Sequence, residues 1–136
     1  MRDMEPDQNN TSRIFLACGA IAGFLAVGFG AFGAHALQSH LSADRLNIFK
    51  TGVQYQAIHA LALLFIALLM EKRASRSLLT WIGGLFTFGI VIFSGSLYAL
   101  ALSDKRILGA VTPLGGLCFL AGWALLTLFA LKPSRE

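Results

Sequence analysis

Seven polar side chains lie inside or at the ends of long apolar stretches of this sequence, where they could bind a small ligand or relay a proton. Histidine titrates near neutral pH, and tyrosine, serine and threonine supply hydroxyl groups. Ionisable groups inside a membrane protein usually face the helix bundle or a wet cavity. The seven residues are His35, Tyr55, His59, Ser94, Ser96, Tyr98 and Thr112.

Three interpretations of this polar layer stay open. The first is structural, because a neutral histidine can bridge two helices, serine and threonine can bond their own backbone, and tyrosine is common at membrane interfaces. The second is a pocket for a small ligand or a lipid headgroup, and the third is a proton or metal site. Since no Asp or Glu ligand lies at a matching depth, neither a metal site nor a cofactor is predicted.

Catalysis is not predicted either. The apolar stretches contain no carboxylate pair and no nucleophile beside a base. General acid–base chemistry would therefore fall on His35 and His59 alone. We predict that the protein is not an enzyme and has no catalytic residue.

Four apolar stretches must position the polar layer, and they are residues 14–34, 53–70, 78–102 and 107–131. None of them contains Asp, Glu, Lys or Arg. Of the 136 residues 56% are hydrophobic and only 13% are charged, against about a quarter charged in a soluble domain. Apolar runs of this length are typical of transmembrane helices. The sequence predicts an all-α integral membrane four-helix bundle between polar segments at 1–13 and 132–136.

The alternating direction of consecutive helices places the polar layer at one membrane face. The ends of the first and third helices meet the starts of the second and fourth at that face. All seven polar residues lie within a few turns of these ends. At a rise of about 1.5 Å per residue, most of them lie within about 12 Å of the face.

Positive charge is distributed unevenly between the loops and predicts the orientation. Seven Lys and Arg residues flank the termini and the second connection, whereas four lie in the first and third connections. Because cytoplasmic loops carry an excess of Lys and Arg, both termini are predicted to be cytoplasmic. The net charge of +4 belongs to these loops. No basic stripe is interleaved with aromatic residues, so no nucleic-acid partner is predicted.

The first connection is longer than a turn and carries a helical pattern. Leu46, Phe49 and Val53 recur at spacings of three and four, which predicts one apolar stripe on a helix. We predict a short amphipathic helix between helices one and two, lying at the membrane interface or leading straight into helix two. In the alternative interpretation, which the sequence does not separate from this one, residues 42–52 extend helix two through Gly52.

Small residues at helical spacing predict where helices approach closely. Membrane helices associate through close backbone contact, which small residues permit. We expect helix one to be the central packing element, against another helix of this chain or a second copy. The sequence TPLGG in helix four predicts a kink, a break that lines a cavity, or a packing notch. The predicted packing residues are Gly19, Gly23, Ala26, Gly30, Gly33, Pro113, Gly115 and Gly116.

Four motifs, GAFGAHAL, YQAIHALALL, FSGSLYALAL and TPLGGLCFLAGW, follow one another along the chain. In this order, over residues 14–131, the chain resembles the small membrane proteins catalogued as domain of unknown function 423, which include the animal transmembrane protein 256. The resemblance implies a four-helix protein of the inner or cytoplasmic membrane in bacteria. It implies no reaction, because the family has no established catalytic activity. The motif residues are Gly30, Gly33, His35, Tyr55, Gln56, His59, Ser96, Leu97, Tyr98, Pro113, Gly115, Gly116 and Trp123.

Two classes of function follow from these observations. The first is a non-enzymatic membrane protein that supports the bilayer or envelope, or steadies a partner. Its partners would be the lipid bilayer and either a second copy or another membrane protein. The second is a small transporter or channel-like protein that uses the polar layer as its site. A transporter needs polar groups or unwound backbone near the midplane, and the layer is off-centre, which favours the first class.

Overall fold

The computed structural model describes residues 6–72 and 76–132, and every regular element in these ranges is helical. A π-helical turn, Ile90–Ser94, joins two of the α-helices without a break, and a 3₁₀ segment, Arg106–Ala110, precedes the last one. The α-helices are α1 (Pro6–His35), α2 (Ala43–Lys72), α3 (Arg76–Gly89), α4 (Gly95–Ser103) and α5 (Thr112–Leu131).

Four helical segments are long and apolar enough to cross a membrane: Asn10–His35, Ala43–Lys72, Ser77–Ser103 and Arg106–Leu131. Each has 26 to 30 residues, which at about 1.5 Å per residue exceeds the ~30 Å hydrocarbon core of a bilayer. The predicted all-α membrane fold with four helices is confirmed. The third span consists of α3, the π-helical turn and α4. Of the predicted polar ends and loops, residues 1–5, 73–75 and 133–136 lie outside the described residues.

The first two helices both begin earlier than their apolar stretches. α1 begins at Pro6, eight residues before the predicted start at Ile14. α2 begins at Ala43 and runs without interruption to Lys72. The amphipathic stretch therefore does not lie at the membrane interface as a separate helix, and residues 43–52 lead straight into helix two as its first turns.

Two contacts explain why this part of α2 stays helical and packs against other parts of the bundle. A Cβ atom built on Gly52 would lie 2.8 Å from a ring carbon of Tyr98, so the glycine admits that ring rather than breaking the helix. The amphipathic stripe is buried against the end of α4 and the turn after α1. The buried residues form the smaller of two hydrophobic cores, and they are Leu37, Leu46, Phe49 and Ala101.

The central helix is α2, and the expectation that helix one is central is wrong. Buried residues make up 44% of the most apolar 18-residue window of the second span and 22% of that of the first. α2 contacts α1 on one side and the third span on the other, while α5 lies against the third span. Small residues in α1 allow a close approach to α2, but α1 meets the third span at only a few of the described residues, so α1 is not central.

The larger core lies in the half of the membrane that contains the second connection. It joins α2, α3 and α5 with one phenylalanine from α1, and six of its side chains are less than 2% exposed. Hydrophobic burial of this kind fixes which faces of the helices meet. The fully buried members are Leu63, Ile66, Met70, Leu79, Ile82 and Phe86.

Aromatic rings lie directly on glycines where the helices cross. A Cβ atom at four of these glycines would overlap the ring, and at Gly33 it would lie 3.1 Å from the ring, which is a tight contact, so the missing side chain is what permits the approach. The pairs are Phe15 on Gly83, Phe49 on Gly33, Tyr98 on Gly52, Phe86 on Gly122 and Phe119 on Gly89.

The predicted packing residues of α1 divide into buried and open positions. Gly19 lies under Leu64 and the carbonyl of Ala60, and Ala26 is 4% exposed. Gly33 lies under Phe49, while Gly30 makes an ordinary contact with Val53. Gly23 faces open space, because nothing lies within 4 Å of a Cβ built on it.

The TPLGG sequence begins α5 and does not break it. Pro113 lies in the first turn of α5, where a missing N–H costs little. A Cβ on Gly115 would overlap the backbone nitrogen of Phe93, whereas Gly116 has an ordinary contact with the Phe93 ring at 3.8 Å. Of the three interpretations of TPLGG, these contacts correspond to the packing notch.

Candidate functional site

The seven residues of the polar layer do not form a single site. His35 lies in the last turn of α1 and is exposed, away from the other six. Within the described ranges it makes no side-chain hydrogen bond and no ring contact. The other six lie between α2, the third span and α5, where they form separate contacts. His35 was included in the layer because of its depth along the helix axis, but its side chain forms no hydrogen bond with any of the other six residues.

Ser94 ties the π-helical turn to α2. Its hydroxyl donates to the carbonyl oxygen of Gly52 over 2.7 Å, and the residue is fully buried. A π-helical turn adds a residue to the helix and so changes which side chains face a neighbour. In this position the turn directs Ser94 towards α2 and Phe93 towards α5.

Ser96 ties the third span to α5. Its hydroxyl lies 2.7 Å from the Thr112 hydroxyl, and it also donates to the carbonyl of Phe93 over 3.0 Å. Because Ser96 donates to the carbonyl, Thr112 is the donor of the hydroxyl–hydroxyl bond whenever both contacts form. The two hydroxyls that sequence analysis placed in one layer are therefore direct partners.

Tyr98 and Gln56 connect three spans in one chain of hydrogen bonds. The Tyr98 hydroxyl donates to Gln56 Oε1 over 2.8 Å, and Gln56 Nε2 donates to the carbonyl of Ala22 over 2.9 Å. Gln56 is only 4% exposed. It is one of the motif residues but was absent from the predicted layer. Its position next to Tyr55 and three residues before His59 was the available signal.

His59 is held at both ring nitrogens. Trp123 Nε1 donates to His59 Nε2 over 3.0 Å, and His59 Nδ1 lies 2.7 Å from the carbonyl oxygen of Tyr55. An indole N–H can only donate, so Nε2 must accept and the ring proton is carried on Nδ1. In this arrangement the ring is neutral and bridges α2 to α5.

An aromatic cluster surrounds the His59 ring. The ring stacks on Phe119 with centroids 3.5 Å apart and planes 10° apart, and it lies 5.4 Å from Phe86. Tyr55 covers the same cluster from the outside, with its ring 4.6 Å from that of Phe93. Since Tyr55 is 39% exposed, its hydroxyl is the most accessible of the layer's polar groups in this region.

A cation outside the predicted layer supports the end of α4. Arg45 Nε donates to the carbonyl oxygen of Ala101 over 2.7 Å. Carbonyls in the last turn of a helix lack partners within the helix, so a cationic donor there is stabilising. The side chain lies in the first turn of α2, within the stretch predicted to be an amphipathic helix, and it was not among the predicted site residues.

The geometry favours hydrogen bonding between helices over reaction chemistry. Every buried side-chain nitrogen and oxygen in the described ranges has a hydrogen-bond partner. Across the same residues no group of three His, Cys, Asp or Glu side chains could hold a metal ion, and Cys18 and Cys118 are free thiols. The serine hydroxyls of the layer bond carbonyls or Thr112 and do not contact His59.

Known proteins that resemble this chain are membrane proteins without an assigned activity. The inner membrane protein YgdD of Escherichia coli K12, from the group called UPF0382, is 46% identical over 126 residues, which cover 93% of this chain and 95% of the relative. The membrane protein YwdK of Bacillus subtilis 168 is 45% identical over 120 residues, which cover 88% and 98%. SSP2132 of Staphylococcus saprophyticus is 44% identical over the same length and coverage. No solved structure matches the chain.

The family comparison covers the whole predicted polar layer. A family described as protein of unknown function DUF423 matches residues 29–116. This range includes all seven residues of the predicted layer, and Trp123 lies beyond its end. Together with relatives about 45% identical over nearly the whole chain, the match shows that this multi-pass membrane protein belongs to the DUF423 family.

Proposed function

We propose that this protein is a non-enzymatic membrane protein that supports the bilayer or steadies a membrane partner. The observation that carries the proposal is that each buried side-chain nitrogen and oxygen in the described ranges has at least one hydrogen-bond partner. Groups that bind or move a solute need free hydrogen-bonding capacity or an open cavity, as in transporters. In this molecule Ser94, Ser96 and His59 spend that capacity on other helices.

The outer surface supports the same proposal. Large apolar side chains lie exposed around the spans, including Phe24 at 78% and Trp81 at 70% exposure. An apolar exterior of this kind is covered by lipid or by another membrane protein, because water would make such a patch unfavourable. The functional contacts would then lie on the outside of the bundle, and the polar layer would keep the bundle rigid.

Orientation and partners complete the proposal. Because an even number of spans returns the chain to the side on which it began, we propose that both termini lie on one side of the membrane, and the excess of Lys and Arg supports the cytoplasm as that side. The macromolecular partner is either a second copy or another membrane protein. A reporter enzyme that is active only outside the cytoplasm, fused after residue 136, should stay inactive and should become active when fused after Ser103.

Flux through vesicles tests the proposal against a transporter or channel. Purified protein in lipid vesicles should leave an imposed proton gradient as stable as it is in protein-free vesicles, as followed with a trapped pH-sensitive dye. In cells, loss of the protein should increase uptake of a membrane-impermeant dye, and the unmodified chain should restore the barrier. Protein-dependent flux that disappears in Ser96→Ala would contradict the proposal, since it would assign the layer to a transported solute.

Cross-linking tests which partner is present. Gly23 faces open space on α1, so a Gly23→Cys variant in a background without Cys18 and Cys118 reports contacts of this face. Disulfide-linked dimers in the membrane would identify a second copy as the partner. Monomers alone would direct the search to a different membrane protein.

A further inference from the structure

A lipid-facing groove separates α1 from the third span. Its volume is about 390 Å³, and α2 forms its floor. No charged side chain lines it, so any occupant is uncharged within the groove. Its lining includes Ala22, Gln56, Val91, Gly95 and Tyr98.

Aromatic contacts at each end of the groove hold its walls apart. At one end the Phe15 ring lies on Gly83, and at the other the Phe29 and Tyr98 rings meet with centroids 5.1 Å apart. Between these ends Gly95 presents no side chain, and nothing lies within 4 Å of a Cβ built on it. The groove therefore follows from how the helices are spaced, and it is open to molecules dissolved in the membrane.

The buried amide of Gln56, on the groove floor formed by α2, has one N–H group without an acceptor among the described residues. Glutamine carries two N–H groups on Nε2. Among the described residues only the Ala22 carbonyl accepts from Gln56 Nε2, while Oε1 accepts from Tyr98. Because an unpaired donor in hydrocarbon is unfavourable, an acceptor from a membrane molecule would complete the amide's hydrogen bonds.

The depth of Gln56 indicates which acceptor can reach it. The last charged residue of α2 before the apolar stretch is Lys50, six residues earlier, so Gln56 lies about 9 Å below it at 1.5 Å per residue. The headgroup layer is roughly 5–7 Å thick on each side of the hydrocarbon core. Gln56 therefore lies just inside the hydrocarbon boundary, next to the level of phospholipid ester carbonyls, and the groove extends deeper, where the acyl chains lie.

We propose that this groove binds one acyl chain of a diacyl phospholipid, whose ester carbonyl accepts the second N–H of Gln56. The chain lies along Gly95 and Val91, in the gap between α1 and the third span. This inference goes beyond the proposed function, because such a lipid site could serve a structural protein or a transporter equally well.

A pair of lipids that differ only in the carbonyl tests the hydrogen bond. Delipidated protein in detergent is titrated with a phosphatidylglycerol whose two chains are ester-linked, and separately with the diether lipid of the same headgroup and chains. Native mass spectrometry counts bound lipid, and the thermal unfolding midpoint reports stabilisation. The diester should bind about fivefold more tightly, the change expected when one neutral hydrogen bond is lost. Equal affinity of the two lipids would overturn the proposal.

Two matched glycine variants test the location. Gly95→Leu places a side chain in the groove and should weaken diester binding at least tenfold. Gly84→Leu makes the same change in the same span at another open position, outside the groove, and should leave binding unchanged. Equal binding by both variants would overturn the assignment. If Gly95→Leu does not fold, the diester–diether comparison on the unmodified chain still decides the outcome.

A third ligand separates the lipid from another membrane molecule with a carbonyl. A quinone with a ten-carbon tail is uncharged and carries carbonyl acceptors. It should stabilise the protein less than the diester phospholipid does. Tighter binding of the quinone, abolished by Gly95→Leu, would assign the groove to a quinone and overturn the proposal.

Discussion

The contacts of α5 and the contacts of α1 differ in kind, although both helices border the same molecule. α5 is joined to its neighbours through side-chain pairs, Ser96 with Thr112 and His59 with Trp123, and through a backbone contact at Gly115. The middle of α1 is joined to α2 through a backbone carbonyl, that of Ala22. A bond to a carbonyl does not require a particular side chain, so the α1 contact depends less on residue type.

The difference shows where this fold tolerates change. The α5 contact combines glycine notches with donor–acceptor pairs, so a change on either partner removes specific interactions. Next to α1 there are an open glycine, Gly23, and the groove that ends at Phe29 and Tyr98. We expect substitutions at the α5 contact to have larger effects on stability than substitutions next to α1.

Gly115→Ala should be among the most destabilising single changes in the described part of the chain. The new Cβ would overlap the backbone nitrogen of Phe93, and backbone cannot rotate away. Overpacking of this kind costs about 3 kcal/mol. Titration with a denaturing detergent in mixed micelles measures the free energy of unfolding. Gly116→Ala is the control, since its neighbour lies 3.8 Å away, and equal losses in the two variants would show that α5 is not held by this notch.

His59→Ala should destabilise the protein by about 2–3 kcal/mol, because it leaves the Trp123 N–H unpaired and removes a stacked ring. His35→Ala should change the free energy of unfolding by less than about 0.5 kcal/mol, since an exposed side chain without contacts has little to lose. Thermal melting in detergent compares the two variants. Equal or reversed shifts would show that the His59 contacts contribute little to the α5 interface.

Tyr98→Phe should cost about 1 kcal/mol, because it leaves Gln56 Oε1 without its donor and keeps the ring in place. Tyr55→Phe removes the same atom from a half-exposed residue whose hydroxyl has no partner within the described ranges, and should be nearly neutral. The same detergent titration measures both variants. If Tyr98→Phe cost as much as His59→Ala, the polar link to α1 would equal the link to α5, and the contrast between the helices would fail.

Gly19→Ala and Gly23→Ala should have the smallest effects and differ from each other. A Cβ on Gly19 would lie 2.8 Å from the end of the flexible Leu64 side chain and 3.0 Å from the backbone carbonyl oxygen of Ala60, so overpacking costs about 2 kcal/mol, more than alanine gains in helix propensity. A Cβ on Gly23 meets nothing within 4 Å, and alanine favours helix by up to about 1 kcal/mol over glycine. The changes in unfolding free energy relative to the unmodified chain should therefore have opposite signs in the two variants. Destabilisation by both would place an additional contact on the open face of α1.

Some features of the fold and of the polar layer were predictable from the sequence, and others were not. The four spans followed from hydropathy, and the hydroxyls of Ser96 and Thr112 were placed at one depth and do meet. His35 was placed at the same depth but lies apart, because position along a helix sets depth and not the direction of the side chain. Gln56 and Trp123 were named only among the family motif residues and were not included in the layer, yet both complete its hydrogen bonds.

The four long apolar stretches, none of which contains a charged residue, are enough to predict a helical chain that crosses the membrane four times. In hydrocarbon, backbone groups must be bonded within the segment, so long apolar stretches have few alternatives to a helix. Tertiary structure decided that α2 is central, that residues 43–52 belong to it, and that His59 bonds Trp123. These features depend on the rotation of each helix about its axis. Rings on glycines and the π-helical turn between Ile90 and Ser94 set that rotation, and both require helices that are already in contact.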